Sequence, residues 1–268
     1  MITSAANSKV KQVVQWQSKA RERREADIFL TEGFKMFREA PAEQVREVYL
    51  SEDALEKAMS DSAIKEKLQL TGYETVSDEV FRRMSDTKTP QGILCVMRRP
   101  SYSTEQMICN PAPLLVLLEG IQDPGNLGTI LRTGEGAGIT GVIADKETVD
   151  IFNPKTIRAT MGSIFRVPFI CVESLGEVMR ILREKNVCTY AAHLSGETYY
   201  DRCYFDVGTA FLIGNEGNGL SPELAAQADR LVKIPMEGQV ESLNASVAAA
   251  LLMYEAHRQR RSQAGFKM

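Results

Sequence analysis

The chain has 268 residues, 44% of them hydrophobic, and a formal net charge of −3. That is enough for one large or two modest domains with a sizeable core. It excludes a membrane-spanning helix, since the longest strong apolar run is PLLVLL at 113–118, far short of a bilayer, and it excludes the strongly basic make-up of many nucleic-acid-binding domains.

The start, MITSAANSKVKQ, lacks the apolar centre of a signal peptide. The five cysteines, Cys95, Cys109, Cys171, Cys188 and Cys203, are widely spaced and form no CxxC pair. They predict buried, reduced thiols in a cytoplasmic protein, with neither a disulfide framework nor a metal site.

Apolar spacing predicts helices over 7–24 and 33–40, a strand at VREVYLS, helices across 53–70, a strand at GYETV and a strand at QGILCVM. Between the last two, SDEVFRRMS reads as a helix with Ser77 as N-cap and Val80 and Phe81 facing inward. The basic run KARERR at 19–24 falls in the first helix, either as a solvated face or as a contact for a phosphate backbone. These elements make a small α/β domain over 1–99. PSYSTEQMICNPAP, 100–113, has prolines and little periodicity and reads as a linker.

The second domain, 114–268, opens on the strand LLVLLEG, followed by a helix over 126–137 and the strand GVIA. Asn153 caps a helix with Pro154 at its first position. Then come strand VPFI, helix 175–185, strands VCTYAAHL and AFLIG, a short helix after Ser221-Pro222, strand LVKIP, and a last helix from about 243 to 260. Strands alternating with helices predict a parallel sheet with helices on both faces.

Within this domain GAGITG, 136–141, reads as G-x-G-x-x-G. A dinucleotide-binding turn needs a strand before the glycines and a helix after them. Here Leu127, Ile130, Leu131 and Ala137 give helical spacing upstream, and GVIAD is strand-like downstream. Gly136 and Gly138 are therefore expected to end a helix, and no nicotinamide cofactor is expected.

Other segments carry more. In LIGNEGNGLS, 212–221, the strand runs into closely spaced glycines, which let backbone approach a ligand. Ser221 then caps a helix. In IPMEGQVESLNASVAAALLMYE, 234–255, a strand ends in a loop, and Ser242 or Asn244 caps the last helix. Both loops leave the C-terminal ends of strands, where open α/β sheets bind ligands. Ala245, Ala248, Ala249 and Leu252 form a small apolar stripe suited to close helix packing. In GNLGTILRTGEGAG, 125–138, Asn126 sits at a helix start, where simple N-capping is an alternative to a functional role. Arg132 lies mid-helix, with Glu135 three residues on as a potential partner. His193 and His257 lie outside these segments, and a core or surface role is expected for each.

Together and in this order, the segments at 125–138, 212–221 and 234–255 resemble the SpoU/TrmH family of S-adenosylmethionine-dependent RNA ribose methyltransferases, of the SPOUT superfamily. ITSAANSKVKQVVQW, FLTEGFKMFREA and TPQGILCVM resemble the ribosomal-protein-L30-like substrate domain that often precedes the catalytic one. The resemblance covers nearly the whole chain. It implies a C-terminal trefoil knot in the parallel sheet domain, S-adenosyl-L-methionine as cofactor, no metal, and a homodimer formed through the knotted domain.

It also implies site residues. The catalytic set would be Asn126, Arg132, Glu216, Ser242 and Asn244. The cofactor would be held by Leu212, Ile213, Gly214, Asn215 and Gly217 in one loop and by Ile234, Met236, Leu243 and Ala248 around the other. A guanidinium stays protonated, so Arg132 suits binding of the target phosphate and stabilisation of charge developing on the 2′-oxygen, although the family also admits it as the base. The implied substrate is a ribose 2′-hydroxyl of 23S ribosomal RNA. Transfer RNA is the alternative, as is a non-catalytic RNA-binding or ribosome-assembly protein of the same fold; intact Asn126, Arg132, Glu216, Ser242 and Asn244 argue against the last.

Overall fold

A computed structural model describes residues 1–239 and 242–263. The chain forms two compact units, one of residues 1–100 with 150–165, the other of residues 101–149 with 166–268.

The first unit opens with helix α1 (Ser8–Ser18), capped by the Asn7 side chain, which accepts from the Lys9 amide at 2.9 Å. The helix expected over 7–24 breaks at Lys19, which is extended at φ −120° and ψ 108°, and resumes as α2 (Ala20–Glu25). The break explains the basic run. Arg23 turns inward, is 2% exposed, and donates to the Trp16 carbonyl at 2.7 Å at the end of α1 and to the Asp150 carboxylate at 2.8 Å. It is a buried structural cation, and only its neighbours in the run are solvated.

Strand β1 (Ile28–Glu32) follows, then α3 (Phe34–Glu39), β2 (Val45–Ser51), α4 (Glu52–Ser60), α5 (Ser62–Thr71), β3 (Glu74–Val76), α6 (Asp78–Met84) and β4 (Ile93–Arg98). The sheet order is β1-β4-β2-β3, with β4 antiparallel to β1 and β2. Val10, Val13 and Trp16 of α1 and Val80, Phe81 and Met84 of α6 close one core over this sheet. Ser77 occupies the N-cap position of α6, but its side chain makes no capping hydrogen bond.

The second unit starts inside the stretch expected to be a linker. There α7 (Thr104–Ile108) forms behind a capping box of Ser103 and Gln106. Its Met107 is 1% exposed and fills the space that Gly141 leaves, where a Cβ would stand 2.5 Å from the Met107 sulfur. Next come β5 (Leu114–Leu118), α8 (Pro124–Ala137) and β6 (Gly141–Ala144). Gly138 ends α8 in the left-handed conformation at φ 77°, and the Ile139 amide closes on the Gly134 carbonyl at 3.0 Å. The G-x-G-x-x-G segment is thus a helix stop before a strand, the reverse of a dinucleotide turn.

Helix α9 (Pro154–Thr160), capped by Asn153 as expected, belongs to the first unit and not to the sheet domain. Phe152 lies 5.0 Å from Phe29, the Arg99 guanidinium stands 4.4 Å over the Phe152 ring, and Arg158 pairs with Asp86 at 2.8 Å. The chain then returns to the second unit with β7 (Phe169–Cys171), α10 (Leu175–Glu184), β8 (Cys188–Ala192), β9 (Thr198–Tyr199), β10 (Thr209–Ile213), α11 (Pro222–Gln227), β11 (Arg230–Lys233) and α12 (Ala245–Gln263).

The sheet order is β7-β6-β5-β10-β8-β11-β9, and the paired strands are parallel. Leu115, Leu117, Ala210 and Leu212 share one cluster with Leu175, Val178 and Leu182 of α10 and Leu224 of α11. The alternate residues Val116, Leu118, Phe211 and Ile213 face the other side and are equally buried. α8 and α12 pack together there, with Ala249 and Leu252 wholly buried and Gly134 facing the Met253 sulfur. The small-residue stripe is therefore a packing face. Of the cysteines, Cys95 and Cys203 are buried, whereas Cys109 and Cys171 are exposed, contrary to expectation; none of the five is in a disulfide. Among the described residues no helix is long and apolar enough to cross a membrane.

Candidate active site

A cavity of about 300 Å³ opens in the second unit, at the low end of the size range of small-molecule sites. It lies at the C-terminal ends of the central strands β10, β8 and β11. Its walls include Ile213, Gly214, Asn215, Glu216 and Gly217 from the loop after β10. Ile234, Met236, Ser242, Leu243 and Ala248 complete much of the remainder. Residues 240–241 of the third segment lie outside the described residues.

The glycine loop has a defined shape. The Asn215 and Gly219 backbones pair with each other at 3.0 and 2.9 Å, and the Asn215 side chain accepts from the Gly217 and Asn218 amides while donating to the Gly120 carbonyl at 2.7 Å. Asn215 therefore builds the loop with its amide group. Gly214 is obligatory, because a Cβ there would lie 2.2 Å from the Gly219 carbonyl carbon and the Leu220 nitrogen. The loop exit is held by Glu119, which accepts from the Ser221 amide at 2.7 Å and its hydroxyl at 2.6 Å.

Asn126 is not a cap. Asp123 caps α8, accepting from the Asn126 amide at 2.9 Å, so Asn126 sits one turn inside with its side chain free for other work. Its Nδ2 donates to Glu216 Oε1 at 2.9 Å, and its Oδ1 accepts from Asn244 Nδ2 at 2.9 Å. Asn244 Oδ1 accepts in turn from the Ser246 amide at 2.9 Å and hydroxyl at 2.7 Å, which makes Asn244, not Ser242, the cap of α12. A carboxylate can only accept, so the direction of every amide in this chain is fixed from Glu216 outward. Among the described residues each asparagine Nδ2 has one acceptor, so one amide hydrogen of each is left over.

Glu216 also accepts from the Gln122 amide at 3.0 Å and the Asp123 amide at 3.1 Å. Burial pushes its carboxyl up, but the Asn126 side chain and these backbone donors outweigh it and hold the group below the usual carboxylate range. Glu216 is thus a fixed anion and a poor proton acceptor at neutral pH.

Two expected site residues neither line the cavity nor join this hydrogen-bonded chain. Leu212 does not line the cavity; the two-residue period of β10 sends its side chain into the core beside α10. Arg132 is exposed on α8, and its expected partner Glu135 instead pairs with Arg166. Among the described residues no hydrogen bond or ion pair engages the Arg132 guanidinium. Conversely, Ala192, His193, Leu194 and Lys233 line the cavity without a motif to announce them. Their one signal is position at the C-terminal ends of parallel strands.

Comparison with known proteins places this geometry. The SpoU rRNA methylase family model matches residues 113–254, and the MRM3-like substrate-binding domain model matches residues 7–95. The chain is 33% identical over 257 residues to the 23S rRNA (guanosine(2553)-2'-O)-methyltransferase RlmP of Bacillus subtilis, covering 94% of this chain and 97% of that one. Among solved structures, the SpoU methyltransferase AviRb from Streptomyces viridochromogenes is 28% identical with a TM-score of 0.84, covering 96% of this chain and 99% of that one. An AdoMet-bound rRNA methyltransferase from Sinorhizobium meliloti is 30% identical with a TM-score of 0.84, covering 96% and 97%. With one model spanning the sheet domain and a relative aligned across both units, the chain belongs to the SpoU rRNA methylase family.

Proposed function

We propose that the chain is an S-adenosylmethionine-dependent RNA methyltransferase that modifies a ribose 2′-hydroxyl in 23S ribosomal RNA. The observation that carries this reading is the cavity walled by the glycine loop, with the Glu216–Asn126–Asn244 chain beside it. The ribosomal target is supported by the match to RlmP across both units and by the substrate-binding match over 7–95.

The cavity suits the cofactor. Ile213, Leu220, Ile234, Met236 and Leu243 supply apolar surface for a flat adenine, and Gly214 and Gly217 add to the wall. The backbone of Gly214, Ile234 and Leu243 would hold the adenine and ribose, and Met236 would line the pocket. When bound, the cofactor supplies a methyl group already activated on a sulfonium.

The chain's own residues then have positioning and electrostatic tasks. The 2′-hydroxyl must lose its proton as its oxygen becomes the nucleophile. Glu216, held as an anion by its donors, organises Asn126 and Asn244 instead of taking that proton. The spare amide hydrogens of both asparagines orient the hydroxyl and the loop, and Ser242 belongs to the same edge of the site. Arg132, exposed and unengaged, binds the target phosphate and stabilises charge developing on the oxygen. The interleaved order β5-β10-β8 supports threading of the loops after β10 and β11 into a trefoil knot. Exposed Val247 and Tyr254 on α12 support a homodimer through that helix. A cytoplasmic location follows from a ribosomal RNA target.

The test is transfer of label from S-adenosylmethionine to total RNA. Label in one ribosomal RNA, at a single linkage resistant to alkali, is the expected result. Arg132→Ala should abolish transfer while binding the cofactor like the parent; loss of cofactor binding in that variant would remove Arg132 from the catalytic role.

A further inference from the structure

The turn His193–Gly196 after β8 supplies a wall of the cavity through His193 and Leu194. It is fixed from both sides. The His193 amide donates to the Val232 carbonyl at 2.9 Å, and the Gly196 amide donates to the His193 carbonyl at 3.1 Å. Gly196 lies so close to β11 that a Cβ would stand 2.8 Å from the Val232 carbonyl carbon. The imidazole is therefore carried on a turn with little room to shift.

Its Nδ1 is engaged as well. The Ser195 backbone N–H donates to His193 Nδ1 at 3.2 Å. A backbone N–H can only donate, so Nδ1 accepts there, and the Ser195 hydroxyl lies 2.6 Å from the same nitrogen. Nε2 is the ring nitrogen left to donate elsewhere. That nitrogen has no protein acceptor among the described residues and is not among the buried atoms that lack a partner. Nε2 is thus the ring nitrogen left for a ligand, on a side chain that lines the cavity.

The geometry points to His193 as a cofactor-binding residue whose Nε2–H donates to an acceptor oxygen of S-adenosylmethionine, on its ribose or its carboxylate. This rests on the reading of the cavity as the cofactor site.

The test is calorimetric titration of the full chain with S-adenosylhomocysteine and with 5′-methylthioadenosine, which lacks the amino-acid tail. His193→Ala should weaken S-adenosylhomocysteine about 5–10-fold, the size of one lost hydrogen bond. His193→Gln, whose amide nitrogen reaches the place of Nε2, should recover most of the loss, and His193→Asn, whose amide reaches only the place of Nδ1, should not. Weakening of both ligands assigns the acceptor to the ribose; weakening of S-adenosylhomocysteine alone assigns it to the carboxylate. Unchanged affinity in His193→Ala, or equal loss in Ala and Gln variants that melt with the parent, overturns the assignment. Failure of the parent protein itself to bind S-adenosylhomocysteine instead overturns the reading of the cavity.

Discussion

Glu216 shows how much one side chain can organise. Its carboxylate gathers the Gln122 and Asp123 amides and the Asn126 side chain, tying the glycine loop to the start of α8. The folded carboxyl ionises below the ordinary value of about 4.3. Its contribution to stability is therefore fully present above that ordinary value and is lost as pH falls through the lower folded one. Melting temperatures from pH 3 to 7 should show the parent losing an increment of stability at the acid end that Glu216→Gln lacks. At neutral pH the same variant should melt lower and transfer methyl more slowly. The family resemblance put Glu216, Asn126 and Asn244 forward, but the hydrogen-bonded chain that joins them, and its direction, could not be read from the sequence. It depends on contacts 118 and 90 residues apart along the chain. The capping alternative for Asn126 could be settled only by finding Asp123 in that position.

At the scale of elements, alternation and caps were readable wherever one face of an element meets water. Asn153-Pro154, Ser221-Pro222 and the stop at Gly138 stand where the sequence puts them. β1 escaped because its apolar run is only Ile28, Phe29 and Leu30 before Thr31 and Glu32, too short to mark a buried strand as the five-residue run of β5 does. α7 escaped because its single buried residue, Met107, gives no period to detect. Met107→Ala should cost about 2–4 kcal/mol in denaturant unfolding; a variant as stable as the parent would return this stretch to the status of a tether. Gly214→Ala should abolish measurable cofactor binding while leaving far-ultraviolet dichroism intact, since the new methyl meets backbone that cannot retreat without opening the Asn215–Gly219 pairing. Tight binding by that variant would show that the loop adapts.

Over the whole molecule, two α/β units were foreseeable from the order of strands and helices, but their membership was not. The excursion 150–165 joins the first unit through Arg23, Phe29, Asp86 and Arg99, contacts made by tertiary packing that no local pattern encodes. Arg23→Ala should destabilise the chain by about 3 kcal/mol, because Asp150 then loses the partner of a largely buried pair. Arg23→Met with Asp150→Asn should recover part of that loss in a double-mutant cycle; additive effects would deny the coupling.

That excursion also bears on inheritance and engineering. A substrate-binding module is usually imagined as a bead, exchanged at one joint to give an enzyme a new target. Here the bead is written in two places. A graft of residues 1–100 alone would arrive without Phe152, Asp150 and α9, leaving Phe29 and Arg23 to face a stranger's sequence. Retargeting such an enzyme calls for two cuts and a paired transplant, and in natural recombinants the two stretches should travel together.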